Sequence, residues 1–194
     1  MSIDLQKEES LAMDYILKGE YKSAIRIFEK FIALEIANHI HYTNLAFIYA
    51  KYNDWDNVIK FCQKAISLDE NSYNAWSILG LGFKNKGDFL NAISSYNKAI
   101  IIKPDFFDAL SNLGLARHKL RDFNGAEDAY SKALKVNSNS SIIFYNLGNL
   151  FYDKFQYDKA IKNFKKSLKI NDKESKTYLN LSLAFRRIND FSQA

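Results

Sequence analysis

Residues 73–106 read YNAWSILGLGFKNKGDFLNAISSYNKAIIIKPDF. Trp76, Leu79, Gly80 and Phe83 stand at i, i+3, i+4 and i+7, which places them on one face of a helix. Phe89, Ala92, Ile93, Tyr96, Ala99 and Ile100 make the same stripe on a second helix. Between the two lies Lys86-Gly87-Asp88, a helix stop followed by an N-cap residue. Lys103-Pro104-Asp105 is a second stop. The stretch therefore predicts two antiparallel helices, A and B. Gly80 and Ala99 leave room for bulky neighbours, so Phe83 and Tyr96 can interdigitate at close helix separation.

The same unit recurs along the chain. Leucine occupies positions 11, 45, 79, 113, 147 and 181, each step being 34 residues. The next column is small throughout: Ala12, Ala46, Gly80, Gly114, Gly148 and Ser182. Another is aromatic throughout: Tyr21, Trp55, Phe89, Phe123, Tyr157 and Phe191. A fourth runs Ala24, Val58, Ala92, Ala126, Ala160 and Ala194, and Asp54, Asp122 and Asp190 share the cap column of Asp88. The units are 5–38, 39–72, 73–106, 107–140 and 141–174, with a partial unit at 175–194. One helix pair cannot bury its apolar faces alone, and stacking the next pair completes the core. The fold class read from this pattern is all-α, an elongated solenoid of antiparallel helix pairs forming a single domain over 1–194.

The pattern resembles the tetratricopeptide repeat family. The resemblance rests on Trp76, Leu79, Gly80, Phe83, Gly87, Phe89, Ala92, Tyr96, Ala99 and Pro104, and it extends over essentially the whole chain. It implies a right-handed superhelix and a platform for binding proteins or peptides, with no enzymatic activity. The first unit departs from the pattern, with Glu8 in place of the bulky residue at Trp76 and Phe31 in place of the small one at Ala99. Arg117 interrupts the aromatic column of Phe83 and Phe151.

Composition narrows the function classes. The 194 residues are 47% hydrophobic, 25% charged and 15% aromatic, a globular balance with ample material for a core. Net charge is only +5, short of the concentrated basic stripe of a nucleic-acid binder, and base-reading pairs do not recur in phase. One cysteine excludes a disulfide scaffold or a cysteine-based zinc module. The polar start Met1–Ser10 lacks the pattern of a signal peptide, and no apolar stretch is long enough to span a bilayer. These readings predict a cytoplasmic protein without membrane insertion.

No catalytic constellation is visible, and no cofactor or metal is expected. His39 and His41 point to different sides of a helix, and His118 stands alone as a solvent-facing or groove-facing imidazole. Cys62 falls in the core column of Phe28, Tyr96, Tyr130 and Phe164, as a buried inert thiol.

The informative face lies on the A helices, which line the concave surface of such a superhelix. One column is a ladder of amides, Asn44, Asn112, Asn146 and Asn180, with Ile78 breaking it. A side-chain amide offers a donor and an acceptor, as a peptide unit does. The ladder can hold an extended backbone, or it can tie one repeat to the next. A second column, Met13, Phe47, Leu81, Leu115, Asn149 and Leu183, is a hydrophobic floor or packing between A helices. Lys51, Lys84, Lys119, Arg186 and Arg187 form a basic edge that favours acidic segments. The lysines from Lys154 to Lys176, including Lys159, Lys162, Lys166 and Lys169, read as a solvated outer face.

The ladder is similar to that in the repeat region of O-linked N-acetylglucosamine transferases, where such amides contact the substrate backbone. That resemblance assigns the role to Asn44, Asn112, Asn146 and Asn180. It leaves open an alternative, a substrate-recruiting arm of a larger enzyme continuing past Ala194. The Lys-and-Asn clamp that another branch uses for chaperone tails is missing at the corresponding positions. The last unit leaves Tyr178, Leu181 and Phe185 without a covering helix, to be capped by further chain, a partner or a second copy.

Overall fold

A computed structural model describes the backbone of residues 2–192 and the side chains of residues 5–188. Among the described residues all regular structure is helical, in eleven helices. They group into two compact units, Met1–Ile102 and Lys103–Ala194.

The first unit holds α1 (Ser2–Lys18), α2 (Tyr21–Ala33), α3 (His39–Lys51), α4 (Trp55–Leu68), α5 (Tyr73–Asn85) and α6 (Phe89–Ile102). They form three consecutive antiparallel pairs, α1 with α2, α3 with α4 and α5 with α6, and α4 also packs on α5. The core is made of the repeat columns. Ala12, Ala24, Phe28, Phe31, Leu45 and Ile48 form one buried cluster, and Ala46, Val58, Cys62 and Leu79 form the next. Cys62 is buried, and burial pushes its thiol pKa up, which leaves it protonated and unreactive. The departures in the first unit have local reasons. Glu8 pairs with Lys30 at 2.6 Å, and Phe31 packs its ring against His41.

The second unit holds α7 (Phe107–Lys119), α8 (Phe123–Val136), α9 (Ser141–Asp153), α10 (Tyr157–Ile170) and α11 (Ser175–Ser192). Here α7 pairs with α8 and α9 with α10, and α11 packs on α10. Leu110, Leu113, Ala126, Tyr130, Ala133, Leu147, Ala160 and Phe164 form its buried interior.

The turns within the pairs obey one geometry whatever residue fills them. Gly19, Asn53, Gly87, Arg121 and Phe155 stand 34 residues apart and all have positive φ, from 57° to 82°. In three of the five an aspartate follows and caps the next helix, while Glu20 and Gln156 in the other two make no side-chain cap. Asp54 accepts from the Asn57 N–H, Asp88 from Asn91 and Asp122 from Gly125, at 3.0–3.2 Å. The cap expected at Asp190 lies outside the described side chains. In place of the turn expected there, α11 runs unbroken through Ser192, 18 residues against 13 in α9.

Tyr96 and Tyr130 are fully buried, and neither hydroxyl has a hydrogen-bond partner among the described residues. Phe164 fills the same column without a hydroxyl. Tyr96→Phe and Tyr130→Phe should therefore each raise stability by about 1 kcal/mol in urea denaturation. Burial also pushes both phenol pKa values up. The unfolded chain then releases protons that the folded chain keeps, so stability should fall as pH rises past about 10. The two Phe variants should flatten that alkaline loss, and an unchanged pH profile would count against it.

Candidate functional site

In the second unit the A-type helices α7, α9 and α11 present one open groove of about 410 Å³. Leu115, His118 and Lys119 come from α7, Asn146, Asn149, Tyr152 and Asp153 from α9, and Asn180 and Leu183 from α11. Arg121 and Phe123, beyond the end of α7, close one side. Helical spacing explains the selection. Asn146 and Asn149 lie three apart on one face, and Tyr152 and Asp153 follow one turn later.

The amides in this groove differ in what they do. Asn180 donates from Nδ2 to Asn149 Oδ1 at 2.7 Å and to the Tyr145 hydroxyl at 3.3 Å, tying α11 to α9. Asn112 donates to the Asp108 carbonyl in its own helix at 2.9 Å and does not line the groove. Asn146 lies in the floor, only 9% exposed, and among the described residues no group hydrogen-bonds its amide. Water reaches this amide through the open groove, and the peptide unit of a ligand can take the place of that water.

The charged rim is partly neutralised from within. His118 Nε2 donates to Asp153 Oδ2 at 2.9 Å, and the imidazole lies 5.9 Å from the Phe123 ring. The Arg121 guanidinium sits 5.2 Å from the centre of the same ring, and Lys119 is exposed. Arg187 donates from Nε to the Tyr152 hydroxyl at 3.4 Å, at the edge of the groove. The apolar column appears as Leu115, half-buried, and Leu183, 39% exposed.

The first unit holds the remaining predicted residues without gathering them. Asn44 donates to the Met13 sulfur at 3.4 Å and lines a smaller hollow of about 270 Å³ with Glu9, Ser10 and His41. His41 is buried there. Its Nδ1 accepts the Asn38 backbone N–H at 3.1 Å, while Nε2 lies 2.7 Å from Glu9 Oε1. His39 reaches instead toward Asp69, 3.3 Å away, so the two histidines serve different partners. Lys51 covers the Phe47 ring at 4.6 Å, and neither lines that hollow. Leu81 and Lys84 are half-buried on α5, and burial lowers the Lys84 ammonium pKa.

The sequence places Leu115, Lys119, Asn146, Asn149, Asn180 and Leu183 on this face, and the structure brings those six together. Sequence reading passes over Tyr152, Asp153, Arg121 and Phe123 and leaves His118 undecided between solvent and groove. Continuing the face of Asn149 by three and four residues would have found Tyr152 and Asp153. Arg121 and Phe123 lie in and after a turn, where helical phase gives no direction.

Comparison with known proteins finds the repeat in part of the chain. Residues 107–140 and 141–174 each match the model of the tetratricopeptide repeat, and 83–120 match a second model described as a TPR repeat. Residues 83–174 carry tetratricopeptide repeats. Among solved structures of such proteins, it superposes on a chain of the APC/C hetero-tetramer Cut9-Hcn1 with a TM-score of 0.80 and 23% identity. That match covers 89% of this chain and 35% of the other, so the chain spans about a third of that relative. MamA matches with a TM-score of 0.77 and 24% identity, over 91% of this chain and 96% of MamA. YrrB, described as a TPR protein with an unusual peptide-binding site, matches at 0.69 and 20%, over 84% of each chain. At these identities the likeness is one of fold. No curated protein matches the sequence. Tetratricopeptide repeats generally mediate protein–protein interaction. Among the described residues, no helix is long and apolar enough to cross a membrane, and no group of three or more His, Cys, Asp or Glu side chains could hold a metal ion.

Proposed function

We propose that this chain is a non-catalytic scaffold that binds an extended peptide segment of a partner protein in the groove of α7, α9 and α11. The observation that carries the reading is Asn146, an amide nine-tenths buried in the groove floor and unbonded among the described residues. A peptide unit laid over it satisfies donor and acceptor together. Neighbouring A helices stand about 10 Å apart and an extended chain rises about 3.3 Å per residue, so each helix matches roughly three ligand residues. Leu115 and Leu183 supply an apolar floor at the two sides, and Lys119 and Arg121 bias the choice toward acidic side chains. The amide role implied by the transferase resemblance is thereby concentrated on Asn146. Asn44, Asn112 and Asn180 already bond to groups of the chain itself.

The test is selection of extended peptides from a random display library on this chain, followed by affinity measurement on a variant with Leu115→Glu and Leu183→Glu. Both positions are accessible, so the fold should survive, and circular dichroism would verify it. Selected peptides should lose at least about tenfold in affinity. Peptides that bind both proteins equally would remove the groove as the site.

A further inference from the structure

The outer face of α10 carries a charge distribution that peptide binding in the groove does not use. Residues 154–176 contain eight lysines against three acids, an excess equal to the +5 of the entire chain, so the rest of the sequence is neutral. Five of these lysines, Lys159, Lys162, Lys165, Lys166 and Lys169, lie on α10 itself. Helical phase places them within one arc of about 120°, along roughly 15 Å of helix. All five are exposed, and none forms an ion pair among the described residues. By contrast, Lys132 on α8 is paired with Asp128 and Lys154 with Glu127. Lys162 with Lys166 and Lys165 with Lys169 are like-charge neighbours at i, i+4; Asp158 is the one acid of α10 within the arc, and Lys159, Lys165 and Lys166 lie over the rings of Phe151, Phe185 and Phe144, which leaves a net excess of four positive charges on the helix.

We propose that this face of α10 is an attachment surface for the anionic headgroups of a lipid membrane. A surface carrying many anionic charges relieves the repulsion along the whole stripe, which a single bound group cannot do. The stripe contains lysine and no arginine, and so it offers point charges without the bidentate fork that reads individual phosphates. α9 and α11 pack on the opposite side of α10, so the lysine face is presented as a surface with no side chain suited to reading base edges. An apolar anchor adjoins the stripe. Phe155, just before α10, is 72% exposed and lines a hollow with Tyr157, Lys159 and Ile188. Aromatic rings beside lysines suit the boundary between headgroups and acyl chains.

The experiment is co-sedimentation of the full chain with vesicles of phosphatidylcholine alone and of phosphatidylcholine with about one third phosphatidylserine. The chain should sediment with the anionic vesicles only and be released as salt rises. Combined Lys162→Gln, Lys166→Gln and Lys169→Gln should weaken binding on the order of a hundredfold. A control with Lys7→Gln, Lys18→Gln and Lys64→Gln, which removes the same charge elsewhere, should leave binding unchanged. Circular dichroism would establish that all three proteins are equally helical. Phe155→Ser should weaken vesicle binding further while leaving binding of polyglutamate unaltered. The proposal is overturned by failure to bind anionic vesicles at low salt, by equal losses in the two triple variants, or by insensitivity to Phe155→Ser. Tighter binding of polyglutamate or duplex DNA than of vesicles, at matched anion concentration, would overturn it equally and assign the face to an acidic protein or a nucleic acid.

Discussion

Gly80→Ala should cost about 2 kcal/mol of stability in urea denaturation, even though alanine is the better helix former by about 1 kcal/mol. A Cβ at Gly80 would meet Tyr96 Cε1 at 2.7 Å and Cδ1 at 2.8 Å. The Tyr96 ring is fully buried and has no open side into which to move. The chain itself indicates how to relieve the clash. In the preceding repeat the same two columns hold Ala46 and Cys62, both buried in one cluster. The first repeat holds Ala12 with Phe28 in those columns, so a methyl group and a ring fit together where the helices are set for both, whereas at Gly80 they are set for glycine. Tyr96→Cys alone should cost about 4 kcal/mol, as a truncated aromatic leaves a cavity. The double variant Gly80→Ala with Tyr96→Cys should cost less than the two singles together, by about 2 kcal/mol. Strict additivity would mean that the two sites are not in steric contact, and the packing account would fail.

Asn146→Ala should weaken every peptide selected on the groove, by roughly ten- to a hundredfold. The size follows from what the amide loses. It is 9% exposed and unbonded among the described residues, so a bound backbone replaces groove water on it, and the bonds strengthen as the ligand excludes solvent. The pattern of losses is the stronger test. An amide that reads the peptide backbone acts alike on ligands of unrelated sequence. Lys119→Ala, at an exposed position on the rim, should instead weaken acidic ligands selectively, and its effect should vanish in high salt. Fluorescence anisotropy of several selected peptides separates the two behaviours. Losses with Asn146→Ala that depend on peptide sequence, or none at all, would remove it as a backbone contact.

The membrane proposal and the groove proposal stand on different residues. The five α10 lysines line no part of the groove, and Asn146 lies nowhere on the outer face. Vesicle binding and peptide binding can therefore fail independently.

The amino-acid sequence by itself determined the helix pairs, their 34-residue period and the columns that fill the core. Those features follow from local periodicity, caps and stops, which act within a few residues and recur often enough to be read without a structure. It also placed Asn146, Asn149, Asn180, Leu115 and Lys119 on one type of helix face. Only the tertiary structure decided what each of them does. Asn44, Asn112, Asn146 and Asn180 occupy the same column, yet each finds different neighbours. Asn180 reaches Asn149 on the adjacent A helix, Asn112 turns back to its own helix, and Asn146 is left open in the floor. Likewise Arg121 and Phe155 carry no turn signal of their own, yet both adopt the left-handed geometry of Gly87. The reason is the same in both cases. A helical phase sets a direction for a side chain, but its partners, and the backbone strain a turn must accept, depend on how neighbouring helices pack around it.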